Sequence, residues 1–168
     1  TGTIEASISW DNLLGSKSDN PSVQKNVYLM DMDFYIPQLE RNRKVWVYLP
    51  PDYETSTKRY PVIYMQDGQN LFNEKTSFSG EWKVDETMNA LFNSGDYGAI
   101  IVAVENGGWR RLDEYSPWYN DQLEAGGEGE KYGEFIVKTL KPYVDATYRS
   151  LPSREYTGLI GSSMGGLI

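Results

Sequence analysis

Hydrophobic and polar residues alternate along residues 27–36, the period of a half-buried strand. Asp31 and Asp33 occupy one face, and the other carries Tyr28, Met30, Met32, Phe34 and Ile36. The two aspartates could form a metal pair, but the absence of further ligands nearby favours a solvated strand face. A second alternating run at residues 44–49 stops at two prolines and predicts a strand that pairs antiparallel with the first.

Three later runs are almost continuously apolar, at residues 61–65, 99–104 and 157–160. Such runs are typical of strands that helices cover on both faces. The first run ends at Gln66-Asp67-Gly68-Gln69-Asn70, which is rich in turn-forming residues and predicts a loop. The second is followed by a long stretch, residues 105–118, that we expect to be a loop.

Two segments have helical spacing. The first is marked by Val84, Met88, Leu91 and Phe92 and ends at Gly95. The second is an amphipathic helix that Pro142 should bend, with apolar positions at Tyr132, Phe135, Ile136, Leu140, Tyr143 and Val144. Before it, the glycines of residues 126–129 resemble a phosphate-binding loop, but neighbouring glutamates and the lack of a Lys-Ser/Thr pair favour a flexible loop.

This order of elements predicts an α/β three-layer sandwich. Two antiparallel strands precede alternating strands and helices, so the sheet should be mostly parallel with helices on both faces. Residues 1–22 read as an N-terminal extension or an edge strand at residues 4–10 with a loop through Pro21. Residues 23–168 read as the N-terminal portion of one α/β domain, since a complete one more often has about 200 to 250 residues.

The last predicted strand runs into Gly161-Ser162-Ser163-Met164-Gly165, which has the form G-x-S-x-G. This is the pattern of a nucleophile elbow, in which a serine sits at the apex of a tight strand-to-helix turn. The five-residue pattern also occurs by chance, so its context decides. The preceding strand and the helix-like residues after it give that context, and Ser163 is the predicted nucleophile.

Composition narrows the possible partners. The formal charge of −8 argues against nucleic acids and anionic membranes, and no apolar run is long enough to span a bilayer. With no cysteine, the chain has no disulfide or thiolate site, and we predict neither a metal site nor a cofactor. The chain starts at Thr1 in place of Met, which fits removal of a signal peptide or upstream domain and favours a secreted or periplasmic protein.

The chain contains no histidine. A serine hydroxyl is a weak nucleophile at neutral pH and usually needs an imidazole to accept its proton. These 168 residues therefore lack the usual base for Ser163.

Four stretches, in this order, resemble one esterase family: RKVWVYLPPDY (43–53), YPVIYMQDGQNLF (60–72), NGGWRRLDEYSPW (106–118) and GSSMGG (161–166). The family includes feruloyl and acetyl xylan esterases of carbohydrate esterase family one, enterochelin esterases and mycolyltransferases. The resemblance implies an α/β-hydrolase fold with Ser163 as nucleophile. It implies that the backbone N–H groups of Met164 and Gln69 form the oxyanion hole.

The resemblance also implies roles near the mouth of the site. Trp82 is expected either to face substrate or to pack on its own helix. For Arg110, Arg111 and Glu114, an Arg–carboxylate pair that pins the long loop is favoured over substrate contact. The acid and histidine of the triad should follow Ser163 in the chain, so we expect these residues to be the N-terminal part of an esterase, inactive alone.

Three functions are consistent with the sequence. The first is a serine carboxylesterase for small-molecule or carbohydrate-linked acyl esters, such as acetyl or feruloyl esters. The second is a non-catalytic derivative of the esterase fold that binds carbohydrate through its aromatic residues. The third is an acyltransferase that uses the same residues with an acceptor other than water. The oligomeric state is not indicated by the sequence.

Overall fold

A computed structural model describes residues 16–17 and 22–168. Its main sheet contains β1 (Ser16–Lys17), β2 (Val27–Ile36), β3 (Arg41–Tyr48), β4 (Val62–Met65), β5 (Ile100–Val104) and β8 (Thr157–Ile160). The strand order is β1-β2-β3-β5-β4-β8, and β6 (Tyr119–Asn120) pairs separately with β7 (Ala125–Gly126). The helices are α1 (Val84–Asn93), α2 (Arg111–Glu114), α3 (Gly129–Phe135) and α4 (Lys141–Thr147).

The main sheet is mixed, with most strands running in one direction. β4 pairs parallel with β5 and with β8, whereas β3 is antiparallel to both β2 and β5. Four of the six strands, β2, β4, β5 and β8, therefore share a direction. The predicted mostly parallel sheet with antiparallel N-terminal strands is confirmed.

Both faces of the sheet are packed, as alternation along β5 shows. Ile100, Val102 and Val104 belong to a core that includes Phe135, Leu140 and Val144 of the α3–α4 helix. Ile101 and Ala103 point to the other face, where partly buried residues near the start of α1 pack against them. Period-two alternation sends successive side chains to opposite faces, so a fully apolar strand requires cover on each side. The three-layer α/β sandwich is confirmed.

Two expectations about strand burial are wrong. Met32, predicted on the buried face of β2, is 56% exposed, because register shifts around Asp31 break the alternation against β3. β8 forms as predicted, but Leu159 and Ile160 are 51% and 46% exposed. β8 is the last strand of the sheet in the described residues, so its outer edge has no strand beside it.

The segments expected to be loops contain more structure than predicted. Ser16–Lys17, inside the predicted N-terminal loop, pairs with β2 as β1. Residues 105–118 include α2, and Gly126 pairs with Tyr119 while Gly129 begins α3. The predicted strand at residues 4–10 lies outside the described residues.

The long helix contains an irregular turn just before its proline. A π-helical segment, Ile136–Leu140, joins α3 to α4, and Pro142 lies in the first turn of α4. Proline lacks the N–H that an α-helix interior would use, and a wider turn accommodates this loss. Tyr143, expected on the buried stripe, is 42% exposed, although its ring contacts Phe34 edge-on at 5.2 Å. In the described part of the chain, no helix is long and apolar enough to cross a membrane.

Candidate active site

Ser163 stands at the apex of a tight turn that follows β8. Its φ of +55° lies in the left-handed region, which non-glycine residues rarely adopt. A 3₁₀ turn, Ser163–Gly166, begins there, and the N–H of Gly165 donates to the carbonyl of Ser162 at 2.9 Å. A β-carbon at Gly161 would overlap the carbonyl oxygen of Gly165. The strain at Ser163 and the glycine beneath it are the geometry of a nucleophile elbow.

A second tight loop follows β4, beside the elbow. Asp67 also has a left-handed φ, +56°, and precedes a 3₁₀ turn, Gly68–Asn70. A β-carbon at Gly68 would lie 2.8 Å from the backbone of Ala103, so only glycine lets this loop pack on β5. Because β4 lies between β5 and β8, its carboxyl end brings Gln69 near the elbow.

The backbone N–H groups of Gln69 and Met164 lie in the first turn of these two 3₁₀ segments. Amides at the start of a helical turn have no partner within it. Neither amide donates a hydrogen bond to any described residue outside its own turn. Both therefore remain available to a negatively charged oxygen held between the loops.

Ser163 and Gln69 line one open cleft of about 920 Å³. Trp82 lines it too while also packing against the core beside α1, so both expected positions remain open, and Phe78 adds a second ring. Apart from Gly108, the remaining lining is polar: Asp67, Asn70, Thr76, Ser77, Ser79, Asn106, Arg111 and Ser162. The cleft thus combines a strained, exposed serine, the unpaired amide of Gln69 and two aromatic rings with hydroxyl and amide side chains.

An ion pair between Asp67 and Arg111 lies in the wall of the cleft. The side chain of Asp67 is 4% exposed and accepts two hydrogen bonds from Arg111, Nε to Oδ1 at 2.7 Å and Nη2 to Oδ2 at 2.9 Å. Asn106 Nδ2 donates to the same Oδ1 at 2.7 Å. The hydrogen bonds to Asp67 raise the pKa of Arg111 above its ordinary value. Neither Asp67 nor Asn106 was among the predicted site residues, although both fall within the stretches that resemble the family.

Arg110 and Glu114 are not brought to this cleft. Arg110 Nη1 donates to Asp113 at 3.2 Å, and its guanidinium lies 3.9 Å from the centre of the Trp109 ring. Glu114 is fully buried and accepts from Arg41 at 2.9 Å and from Arg43 at 2.5 Å. Each of the three predicted loop residues makes an Arg–carboxylate pair, but none pairs with another of the three.

One group of carboxylates in the described residues could hold a cation. Glu81, Asp85 and Glu86 each bring one oxygen within 4.8 Å of the others, beside the segment that carries Trp82. Asp85 Oδ2 accepts from the backbone N–H of Gln24 at 2.9 Å. Burial, together with the neighbouring Glu86, raises the pKa of Asp85 from 3.8 to about 7.

The sheet order, the packed faces and the strained serine turn define an α/β-hydrolase fold. The family model described as "Putative esterase" matches residues 36–168, and the chain belongs to that family. YbbA of Bacillus subtilis, an uncharacterized protein, is 30% identical over 135 residues, which make up 76% of this chain and 49% of YbbA.

Two solved structures show the same architecture. An IroE-like serine hydrolase from Shewanella oneidensis has a TM-score of 0.61 and 25% identity, covering 78% of this chain and 41% of that protein. A ferulic acid esterase has a TM-score of 0.57 and 26% identity, covering 83% of this chain and 52% of that protein. The chain spans about half the length, or less, of the curated relatives it matches.

Proposed function

We propose that the full-length protein is a serine carboxylesterase that uses Ser163. The Ser163 hydroxyl oxygen attacks the ester carbonyl carbon, and the alcohol leaves as the acyl group becomes esterified to Ser163. Water then attacks this acyl-enzyme, releases the carboxylic acid and restores the hydroxyl. The proton of Ser163 must pass to a base outside these 168 residues, since they contain no histidine, so the 168 residues alone should be inactive.

The conformation of Ser163 is the observation that carries this proposal. A left-handed φ at a non-glycine residue is unfavourable, and such strain concentrates at functional sites. Here it places an exposed serine at the edge of a cleft, above glycines that leave room for the turn. A merely structural serine would gain nothing from this conformation.

The unpaired amides of Gln69 and Met164 support an oxyanion hole. Attack on the ester converts the carbonyl oxygen into an anion, and preorganised N–H donors stabilise that charge. Each such donor contributes about 3 to 4 kcal/mol to the transition state. Since both donors are main-chain groups, the identity of the Gln69 side chain is not critical to this role.

The lining of the cleft favours uncharged, hydroxyl-rich esters, such as acetyl or feruloyl groups on carbohydrate. Thr76, Ser77 and Ser79 offer hydroxyls, and Trp82 and Phe78 offer apolar ring surfaces. The one cation in the cleft lining, Arg111, is already neutralised by Asp67. With a net charge of −8, the chain also repels anionic substrates at long range. The ferulic acid esterase that shares its fold supports this substrate class.

The proposal is tested on the full-length protein with p-nitrophenyl acetate, methyl ferulate and acetylated xylo-oligosaccharides. We expect hydrolysis that Ser163→Ala abolishes and that Ser153→Ala, an exposed serine outside the cleft, leaves unchanged. A fluorophosphonate probe should label the peptide that contains Ser163. Hydrolysis that persists in Ser163→Ala would overturn the proposal.

Two other results would replace it with the alternatives. Binding of xylo-oligosaccharide without any turnover would indicate a non-catalytic carbohydrate-binding protein. If sugar alcohols capture the acyl group in preference to water, the products will be new esters and the protein is an acyltransferase.

A further inference from the structure

We propose that Arg111 is a positioning residue that holds the two oxyanion-hole loops in register with each other. This inference rests on the proposed function, because it concerns the geometry of the Gln69 and Met164 amides. Arg111 acts through Asp67 and through the elbow backbone, not by chemistry of its own.

The first loop is fixed through Asp67. This residue lies two positions before Gln69 and adopts the left-handed conformation that starts the 3₁₀ turn. Both of its carboxylate oxygens are held by Arg111, at 2.7 and 2.9 Å, in a planar two-point contact. Such a contact fixes the orientation of the carboxylate as well as its distance, and thereby the backbone that carries it.

The second loop touches the same ion pair. A β-carbon at Gly165 would lie only 3.0 Å from Asp67 Oδ2, so the elbow packs directly against the carboxylate. Arg111 Nη2 also points towards the carbonyl oxygen of Ser162, at 3.5 Å. The Asp67–Arg111 pair thus lies between the two loops and sets the distance between them.

Arg111 is itself held in place from a third side. It begins α2, and its guanidinium lies 5.1 Å from the centre of the Tyr115 ring, which is buried. Asn106 joins the network by donating to Asp67 and accepting at its own side chain from Gly108 N–H at 2.9 Å. The arginine is therefore anchored to the β5–α2 segment and bridges three parts of the chain.

Positioning predicts a particular kinetic signature in the full-length enzyme. A misplacement of about 1 Å in a catalytic group can cost about 100-fold in rate. We expect Arg111→Ala to lower kcat on p-nitrophenyl acetate by about 100-fold while KM changes less than about threefold. Arg111→Lys, which cannot make the two-point contact, should fall between Arg111→Ala and wild type.

Two controls separate positioning from general damage. Arg110→Ala removes the neighbouring arginine, which pairs with Asp113 outside the cleft, and should keep wild-type kcat. Asp67→Asn should lower kcat as Arg111→Ala does, and the double variant should be no worse than either single one, because both remove the same contact. Added guanidinium at millimolar concentration should partly restore kcat in Arg111→Ala, because it can occupy the space of the missing side chain. It should not restore kcat in Arg111→Lys, where the lysine fills that space. A loss of stability alone would not be reversed in this way.

Several outcomes would overturn the inference. An Arg111→Ala enzyme with wild-type kcat and raised KM would make Arg111 a substrate-binding residue. Additive losses in the double variant would show that Asp67 and Arg111 act separately. Ser163→Ala, measured alongside, distinguishes the two proposals: if it is inactive while Arg111→Ala keeps full kcat, only the positioning role fails.

Discussion

Glu114 gives the sharpest test of how the segment after β5 is held. The carboxylate has no exposed surface, and its Oε1 accepts from Arg41 and Arg43, both on β3. A β-carbon at Gly107 would lie 2.5 Å from its Oε2, so the loop before α2 folds tightly over it. Replacing Glu114 with Gln keeps the shape of the side chain and removes its charge.

The size of the effect follows from burial and distance. At an effective dielectric constant of about 20, unit charges at these separations attract by about 6 kcal/mol per pair before desolvation is counted. Arg41 keeps a second partner, Glu128, at 2.7 Å, but Arg43 is 9% exposed and has no other carboxylate in the described ion pairs. Removing one member of a buried pair costs about 3 to 5 kcal/mol, and we expect that loss for Glu114→Gln.

Urea unfolding of the full-length protein, followed by tryptophan fluorescence, measures this loss. Glu74→Gln, which removes an exposed carboxylate, is the matched control and should change the free energy of unfolding by less than about 0.5 kcal/mol. The double variant Arg43→Met/Glu114→Leu removes both charges. It should be more stable than Glu114→Gln, because the penalty comes from a buried charge left unpaired.

Two results would refute this reasoning. A loss below about 1 kcal/mol in Glu114→Gln would mean that Arg43 finds solvent or another partner when the carboxylate charge is removed. A double variant less stable than Glu114→Gln would mean that the packing and hydrogen bonds of these side chains matter more than their charges.

Three further predictions concern the elbow and a buried carboxyl. Ser163→Gly should raise the free energy of unfolding by about 1 kcal/mol in urea titrations, because glycine adopts the observed φ of +55° without strain. The same variant should abolish esterase activity, since it removes the hydroxyl. Ser163→Ala should show no gain in the free energy of unfolding. Gly161→Ala should lower kcat/KM by at least about 100-fold, because its β-carbon would overlap the Gly165 carbonyl. Gly133→Ala is the control: a β-carbon there meets nothing within 4 Å, so this variant should keep wild-type kcat/KM and be as stable as the wild type or slightly more stable. Burial raises the pKa of Asp85 to about 7, so between about pH 4 and 7 the folded state binds more protons than the unfolded state. The free energy of unfolding should therefore fall as pH rises from about 4 to 7. Asp85→Asn should make this pH dependence weaker in unfolding curves measured across the same range.

The strands of the sheet were predictable because a buried strand requires apolar residues at consecutive positions of the sequence. The runs at residues 61–65 and 99–104 are apolar at every position that a two-faced strand must bury, and the structure places β4 and β5 there. The error at Met32 has a different origin. The register shifts around Asp31 depend on how β2 pairs with β3, which is a contact between distant residues. The sequence of β2 alone does not show where such a shift occurs.

The two halves of the candidate site differ in the same way. The tight turn is encoded within six residues, because its glycines and serine meet one another directly, and its position at Ser163 could be predicted from the sequence. The Asp67–Arg111 pair joins residues 44 positions apart, and either could have paired elsewhere. Arg110 and Arg111 are identical and adjacent, yet one reaches Asp113 and the other Asp67.

The two arginines point to different partners because one ends a 3₁₀ turn and the other begins α2. Arg111 begins α2 with its side chain over the Tyr115 ring and towards the cleft, while Arg110 closes the preceding 3₁₀ turn with its guanidinium on Trp109. Glu114, buried against Arg41 and Arg43 of β3, lies at the other end of the same short helix. The ion pairs of Glu114 and Arg111 thus hold the two ends of α2, one against β3 and the other against the loop after β4. Glu114→Gln should consequently lower kcat as well as stability, even in urea-free buffer where the enzyme remains folded.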